Sequence, residues 1–397
     1  MLRKSAKSHF LLLGVLLAPA LAGQRVWVVA PVLQVGVDFT RIQEAVDVAA
    51  DGDTVLVRDG SYDSCTVAAK ALTLVADGAA VYNAWLSIER TASSQPVVVR
   101  GLGGAGVRIV DCRGSVVVED CRFGGSTHFV GPWPYPALVS QSDRVRLGRC
   151  VLGPPPAGSH VVGLSADTSG LAIYDCVLAG AHGGIGYAGF PEDGASGAAL
   201  VASTTYASGC AFRGGTGLQG SAALGMCFFS PTSGGDGVQV SGGALSTFDC
   251  RLEPGARGAD APPCPPAGDG RRWFGSGSVV EVAGIALGVA SSAPTRMGAA
   301  LQLDVVGEPG ALAVLLFAPA DGPAFVPLCG GVVLSAPAQT AFVPVGVLPI
   351  TGGLALTLPV PDLGLAAVTL QAQVAAATSH GCQLGAATTM PLLAPGF

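Results

Sequence analysis

The stretch VRLGRCVL, residues 145–152, contains the pattern on which the fold of this chain depends. It places apolar residues at its first, third and eighth positions and a cysteine at its sixth. Five copies, two of them with a threonine at one apolar position, carry the cysteines Cys121, Cys150, Cys176, Cys210 and Cys250. The intervals between these cysteines are 29, 26, 34 and 40 residues. A constant motif at variable intervals predicts stacked coils of parallel strand, with insertions in loops on one side.

Each coil is predicted to contain a second strand and a sharp bend. Seven positions before the start of each motif stand apolar residues that predict a strand in register: Ile109, Leu138, Leu164, Ala198 and Val238. The bend should fall just before each cysteine, at Asp120, Arg149, Asp175, Gly209 and Asp249. Asp and Gly tolerate the left-handed backbone that such a bend needs. Successive bend aspartates are two coils, or about 10 Å, apart, so we expect a surface charge ladder of Asp120, Arg149 and Asp175 rather than a Ca²⁺ site.

A short amphipathic helix is predicted ahead of the coils, within VDFTRIQEAVDVAADGDTVLVRDGSYDS, residues 37–64. Thr40 is placed to cap this helix. Its apolar face consists of Ile42, Ala45, Val46 and Ala49. Residues 51–53 end the helix, and residues 54–58 alternate as a strand. A helix in this position would cover the apolar core and the unpaired strand edges at the open end of the stack.

This segment and the cysteine-containing coils resemble right-handed parallel β-helix proteins of the pectate lyase-like superfamily, especially secreted bacterial members. The resemblance covers residues 37–252, and FTRIQEAVDVAADGDTVLVRDGSY is its most specific part. It implies a right-handed parallel β-helix. It implies little about function, because that superfamily includes lyases, hydrolases, esterases and non-catalytic members.

The N-terminus has the features of a secretory signal peptide, residues 1–22. Arg3, Lys4 and Lys7 precede an apolar segment, and Ala20-Leu21-Ala22 forms a small-x-small cleavage site. The apolar run is shorter than the roughly 20 residues that a membrane span needs. We therefore expect a protein that is secreted or associated with the cell surface or envelope, with no transmembrane segment after cleavage.

The charge of the chain argues against nucleic acid as a partner. The formal net charge is −6, and cleavage of the signal peptide, which contains three basic and no acidic residues, would make it −9. Nucleic-acid-binding proteins carry basic patches, and the same argument disfavours polyanionic polysaccharides. Charged residues form only 12 % of the chain, but a 50 % apolar fraction with alternating apolar runs favours an ordered all-β protein.

The predicted organisation places the β-helix over residues 23–252 and a Pro/Gly/Arg-rich linker or cap over residues 253–277. Residues 278–397 consist of short apolar strands divided by Pro and Gly, which predicts a small antiparallel β-sandwich. The chain has eleven cysteines, an odd number, so at least one is unpaired. We expect the five motif cysteines to be buried thiols and Cys329 to pair with Cys382. No metal site and no cofactor are predicted, since no CxxC motif occurs.

The insertions between coils are where binding residues are predicted. In four coils they follow the same short strand, so they should emerge along one edge of the stack, where aromatic rings suit sugar faces. The predicted ligand-binding residues are His128, Trp133, Tyr135, His160, His182 and Tyr187. The same edge would carry Phe129, Phe190, Glu192, Asp193, Arg213 and Asp236. Alternatively, these Pro- and Gly-rich loops only pack on the coils below them.

Three functional hypotheses follow. The leading one is an exported, non-catalytic scaffold that binds neutral carbohydrate through the loops on one edge. The second is a polysaccharide lyase or glycoside hydrolase with an atypical active site, for which His182, Glu192 and Asp193 are the best acid–base candidates. The third is a surface adhesin or structural spacer without a glycan ligand. The repeat is compatible with all three.

Overall fold

The computed structural model describes residues 24–124, 135–186, 190–224, 226–291, 294–319, 324–326, 331–333, 340–379 and 381–397. The predicted signal peptide lies outside the described residues, as do His128, Trp133 and Tyr187. The regular structure of the described chain is all-β apart from one short helix. Within these residues, no helix has the length and apolar character needed to cross a membrane.

Strands from the first two thirds of the chain stack in three parallel ladders. Ladder 1 pairs, in order, Val26–Val29, Thr54–Tyr62, Leu72–Glu89, Val97–Arg100, Val116–Glu119, Val145–Gly148, Gly170–Tyr174, Thr204–Ser208, Ala244–Phe248 and Ser278–Val282. Ladder 2 starts on the long strands Thr54–Tyr62, Leu72–Glu89 and Gly103–Val110 and continues with Arg122–Phe123, Val151–Leu152, Val177–Ala179, Ala211–Arg213 and Arg251–Glu253. Ladder 3 contains Cys65–Ala68, Leu72–Glu89, Gly103–Val110, Ala137–Ser140, Leu164–Asp167, Ala198–Val201, Val238–Ser241 and Trp273–Phe274. Within residues 253–277, expected to be a linker or cap, Trp273–Phe274 still pairs in parallel with Val238 and Gln239.

The repeated motif spans the bend between ladders 1 and 2, as its spacing predicts. Its first positions share one register in ladder 1: Val116, Val145, Leu171, Thr205 and Leu245. These residues and the apolar residue two positions later are buried in a continuous core that runs from Val29 to Leu252. The alternation of side chains along a strand therefore places the apolar half of each motif inside the stack.

The predicted second strand exists, with a register that is partly wrong. One register is shared by Leu164, Ala198 and Val238, as predicted. In the two preceding coils the aligned residues are Ala137 and Val107 instead of Leu138 and Ile109. The chain takes eight residues from Ala137 to Val145 and nine from Val107 to Val116, rather than seven. These longer turns shift the strand by one and two positions.

The bend before each cysteine has the predicted left-handed backbone. The φ angles are 54°, 51°, 51°, 66° and 50° at Asp120, Arg149, Asp175, Gly209 and Asp249 respectively. Arg149 adopts this conformation although its residue type disfavours it. Its side chain is held by two ion pairs described below.

The helix covers the first coils, but its predicted cap is wrong. It spans Ile42–Val48, its N-cap residue is Arg41, and the cap makes no side-chain hydrogen bond. Ile42, Ala45 and Val46 are buried against the core, as predicted. At the other end of the helix, Lys70 provides hydrogen bonds to backbone carbonyls: its Nζ donates to those of Val46, Asp47 and Ala49 at 2.6–2.8 Å. A cation in this position also interacts favourably with the helix dipole.

The C-terminal strands form one curved sheet around a second apolar core. Its strands lie in the order Ala341–Val347, Leu312–Pro319, Ala367–Thr378, Gly381–Leu393, Gly288–Ser291, Ala300–Val306 and Gly353–Pro359, with Thr295–Arg296 beside Gly381–Leu393. Neighbours are antiparallel except where Gly381–Leu393 meets Gly288–Ser291 and Thr295–Arg296. A separate hairpin pairs Ala324–Val326 with Gly331–Val333. We call the eight-stranded assembly the C-terminal sheet.

The C-terminal sheet packs on the outward face of ladder 1. Outward-facing Ala172, Tyr174 and Tyr206 are buried against Ala386 and Ala387. A second apolar contact, nearer the start of the stack, joins Val26, Val28, Leu56 and Val75 to Ala367 and Leu393. The outward side of one ladder is therefore a buried interface rather than a solvent-exposed surface.

An ion pair lies inside this interface. Glu119 is fully buried, and its carboxylate accepts a hydrogen bond from Arg146, which is also buried. The second carboxylate oxygen accepts from the backbone N–H and the hydroxyl of Thr389, at 2.8 and 2.6 Å. Burial raises the pKa of Glu119, but the guanidiniums of Arg146, Arg149 and Arg100 outweigh it, so that the net pKa is lowered to about 2. The carboxylate is charged and links ladder 1 to the C-terminal sheet.

The predicted charge ladder at the bends joins this network. Arg149 contacts Asp120 at 2.7 Å and Glu119 at 3.2 Å. The same guanidinium donates to the hydroxyl of Thr388 at 3.0 Å. Arg100, from the preceding coil, pairs with Asp120 at 2.8 Å and donates to the carbonyl of Ser291. The pairing of Asp120 with Arg149 is confirmed, and Asp120 is exposed as expected, whereas Arg149 is half-buried because its guanidinium also contacts Glu119 and Thr388.

The motif cysteines form a column inside the stack. Cys121, Cys150, Cys176 and Cys210 are buried free thiols, as predicted, and Cys250 is a half-buried one. The backbone N–H of Cys150 donates to the sulfur of Cys176 at 3.2 Å, and the next two coils repeat this contact. Burial raises the pKa of the Cys121 and Cys176 thiols, which keeps them neutral. Cys382 is disulfide-bonded, whereas its predicted partner Cys329 lies outside the described residues.

Candidate functional site

The insertions leave the stack along one edge. Residues 153–163, 180–197, 214–237 and 254–272 each connect the end of a ladder 2 strand to the start of the next ladder 3 strand. Residues 124–136 make the same connection, although most of them lie outside the described residues. We call this side the insertion edge. The last of these loops belongs to the stretch expected to be a linker or cap.

Hydrogen bonds between backbones join the insertion loops to one another. The N–H of Ala195 donates to the carbonyl of Ala181, Gly215 to Ala195, and Gly235 to Gly215, each at 2.8 Å. The series continues from Gly255 to Gly235 and from Gly270 to Gly255, at 2.8 and 2.9 Å. The loops therefore form a second hydrogen-bonded stack beside the ladders, although they contain few strands.

Glycine is required in this loop stack by the close approach of the backbones. A Cβ atom at Gly215 would lie 1.8 Å from the carbonyl oxygen of Ala181, and one at Gly235 would lie 2.0 Å from that of Ala195. Neither oxygen can move without breaking the hydrogen bonds of the stack. The glycine-rich composition therefore encodes close packing rather than flexibility. The result is a rigid platform along the insertion edge.

A groove of about 720 Å³ lies on this platform. Its aromatic walls are Phe190, Phe228 and Phe229. The remainder of its lining consists of Pro191, Asp193, Ser230, Pro231, Thr232, Ser233, Pro265, Pro266 and Ala267. Phe190 is 71 % exposed and Phe228 is 56 % exposed, so both rings are open to a ligand.

Two cross-links hold the groove walls in place. A disulfide joins Cys227, beside Phe228, to Cys264, beside Pro265. Across the groove, Asp193 Oδ1 accepts the backbone N–H of Ser233 at 2.7 Å. The hydroxyl of Thr232 donates to the carbonyl of Glu192 at 2.9 Å. The walls are thus pre-organised by a covalent bond and by hydrogen bonds between separate loops, which lowers the entropic cost of binding a ligand.

None of the predicted ligand-binding residues that the structure describes lines this groove. His128, Trp133 and Tyr187 lie outside the described residues. Tyr135 is half-buried and does not line the groove, and neither do His160 and His182. Of the other residues expected on this edge, Phe190 and Asp193 do line it. Phe228 and Phe229 were missed, although the run MCFFSP at residues 226–231 is the most apolar segment of a loop expected to be exposed.

The three acid–base candidates do not hydrogen-bond to one another among the described residues. His182 Nδ1 lies 3.1 Å from the backbone N–H of Thr216 and 3.0 Å from its hydroxyl. Asp193 Oδ1 is occupied by Ser233. Glu192 Oε2 is buried without a hydrogen-bond partner among the described residues. Within that part of the chain no ion pair joins a histidine to a carboxylate, and no three His, Cys, Asp or Glu side chains are grouped to hold a metal ion. The arrangement offers a binding surface rather than an assembled acid–base pair.

Comparison with family models, with curated protein sequences and with solved structures finds no match to this chain.

Proposed function

We propose that this protein is an exported, non-catalytic scaffold that binds neutral carbohydrate in the groove on its insertion edge. The observation that carries the proposal is the pair of exposed phenylalanine rings, Phe190 and Phe228, held on a rigid, disulfide-linked platform. Aromatic rings stack against the apolar faces of sugar rings. Ser230, Thr232 and Ser233 supply hydroxyl groups that can hydrogen-bond to sugar hydroxyls.

The charge of the groove favours a neutral ligand over an acidic one. Among the described residues that line it, Asp193 alone is ionisable. A carboxylate accepts hydrogen bonds from sugar hydroxyls but repels uronate or sulfate groups. The net charge of −6 for the whole chain acts in the same direction.

The proposal includes a finer description of the fold. We infer that the three parallel ladders belong to a right-handed parallel β-helix, because connections between parallel strands are right-handed in nearly all known cases. The C-terminal sheet would correspond to a curved β-sandwich. In this arrangement the β-helix supplies rigidity and the insertions supply specificity.

The proposal is tested by ligand binding to the full mature chain. The wild type, Phe190→Ala and Phe228→Ala are compared on a panel of immobilised neutral and acidic polysaccharides. We expect saturable binding to at least one neutral glycan and a roughly tenfold loss for each variant, because one aromatic contact contributes on the order of 1 kcal/mol beyond its buried area. Phe342→Ala is the matched control, since Phe342 is 59 % exposed on the C-terminal sheet and outside the groove.

The alternatives are distinguished in the same experiment. New reducing ends or unsaturated sugar products that disappear in Glu192→Ala and His182→Ala would replace the proposal with a lyase or hydrolase. Binding that survives both phenylalanine substitutions would place the glycan site elsewhere. No binding to any glycan would leave the adhesin or spacer hypothesis.

A further inference from the structure

A hairpin at the insertion edge exposes apolar side chains on both of its faces. Strands Ser221–Ala223 and Met226–Phe229 pair antiparallel, and we call residues 221–224 and 226–229 the tip hairpin. Met226 and Phe228 alternate with Cys227 and Phe229, and all four are exposed. Side chains that alternate along a strand point to opposite faces. Exposed apolar surface of this kind marks an interaction site rather than an ordinary loop.

Leu224, at the turn of the tip hairpin, has a conformation that its residue type disfavours. Its φ angle is 52°, in the left-handed region that glycine and asparagine occupy more readily. The side chain is 93 % exposed, so packing within the protein does not compensate for the strain. Leu224 therefore presents an exposed apolar side chain at the turn, where glycine or asparagine would be the less strained residue.

The composition around the tip hairpin identifies the kind of partner. Residues 214–235 contain no charged side chain. A flat protein surface would cover one face of the hairpin and leave the other exposed. A lipid layer surrounds an inserted tip on all sides and needs no complementary charge. Cys227 ties the hairpin to Cys264, so that the tip stays ordered when it meets such a layer.

We propose that the tip hairpin inserts into the interface of a zwitterionic lipid bilayer, with Leu224 and Met226 leading. The insertion buries apolar side chains without crossing the membrane and would place the stack against a lipid surface. The inference shares Phe228 with the glycan proposal but differs from it in resting on Leu224 and Met226, which do not line the groove.

The experiment is flotation of the mature protein with large unilamellar phosphatidylcholine vesicles. We expect the wild type to float with the vesicles and the double variant Leu224→Ser/Met226→Ser to lose roughly tenfold or more in partitioning, because two buried apolar side chains are removed. The control is Val35→Ser/Ile350→Ser, which removes two exposed apolar side chains elsewhere; Ile350 is 92 % exposed. This control should float like the wild type.

Leu224→Gly separates a role in binding from a role in folding. Glycine relieves the left-handed strain, so its thermal unfolding midpoint should be unchanged or higher, while vesicle binding falls. The proposal is refuted if the wild type does not float with phosphatidylcholine vesicles. It is equally refuted if binding requires anionic lipid and is lost in salt, or if Leu224→Ser/Met226→Ser floats as well as the control. Phe190→Ala should float normally, so a failed glycan proposal leaves this one standing.

Discussion

Removing the charge of Glu119 should destabilise the protein far more than removing the charge of an exposed carboxylate. The substitution Glu119→Gln keeps the shape of the side chain and leaves the buried guanidinium of Arg146 without its closest counter-charge. Breaking a buried ion pair from one side costs about 3–5 kcal/mol. The pKa of Glu119, lowered from 4.5 to about 2, corresponds to about 3 kcal/mol of stabilisation of the charged form. The two values agree, and we expect Glu119→Gln to lower the free energy of unfolding by about 3 kcal/mol.

The assay is denaturant unfolding followed by circular dichroism, with the slope of the transition checked for constancy. Glu253→Gln is the matched control, because Glu253 forms an exposed ion pair with Arg213 at 2.9 Å. The free energy of unfolding of this control should fall by no more than about 1 kcal/mol. The double variant Glu119→Gln/Arg146→Met should recover at least half of the lost free energy of unfolding, because it also removes the buried guanidinium that Glu119→Gln leaves unpaired. A loss at Glu119 no larger than that at Glu253 would show that the interface network contributes no more than a surface pair.

The same carboxylate predicts a dependence of stability on pH. Because its folded pKa is lowered, Glu119 contributes stability that is fully present above the unfolded pKa, near 4.5, and is lost as the pH falls towards 2. Acid unfolding of the wild type should therefore be steeper below pH 4.5 than that of Glu119→Gln. Parallel acid titrations of the two proteins would contradict this assignment.

Three further predictions concern other parts of the molecule. Gly215→Ala should unfold at a temperature several degrees lower than the wild type, because its Cβ would overlap the carbonyl of Ala181. A Cβ at Gly242 would meet no atom within 4 Å, so the control Gly242→Ala should change stability only through its left-handed φ. Equal midpoints for the two variants would contradict the close packing of the loops. The pKa of Asp175 is raised to about 6, chiefly by desolvation, so the folded protein loses stability as this carboxyl group ionises between about pH 4 and pH 6. In thermal melts Asp175→Asn should therefore be more stable than the wild type at pH 8, and this advantage should disappear below about pH 4. The disulfide between Cys227 and Cys264 closes a loop with a sequence separation of 37 residues and should add roughly 3–4 kcal/mol to the free energy of unfolding. Cys227→Ser/Cys264→Ser should therefore speed proteolysis near residue 224. An unchanged cleavage rate would indicate that hydrogen bonds alone hold the hairpin.

The fold could be predicted well where one pattern repeats. The motif around each cysteine predicts parallel pairing, the buried side of each strand and the left-handed bend at Asp120 and its counterparts, and all three are confirmed. The errors lie in turns. The positions of Leu138 and Ile109 were wrong because turn length between ladders varies by one or two residues, and alternation alone does not report this. The cap at Thr40 was wrong because the helix begins one residue later than predicted, so that Arg41 holds the N-cap position and makes no side-chain capping hydrogen bond.

The candidate site could be predicted only in part. The sequence indicates that insertions lie on one edge, because each follows the same strand. It does not indicate which aromatic side chains meet. Phe190 and Phe228 belong to different insertions, and their approach depends on backbone hydrogen bonds between loops and on the disulfide of Cys227. These contacts have no periodic signature in the chain.

The amino-acid sequence by itself determined the strands of the repeated motif and the inward or outward direction of their residues, because both follow from the period-2 geometry of an extended chain. Only the tertiary structure decided what lies against the outward residues. Glu119 and Arg146 are charged residues at outward positions, and by sequence alone they would be solvent-exposed. They are buried because the C-terminal sheet, which begins more than 140 residues after either of them, covers ladder 1 and supplies Thr389 as a partner for Glu119. Burial depends on the whole surface that surrounds a side chain, and that surface is assembled only when distant segments pack.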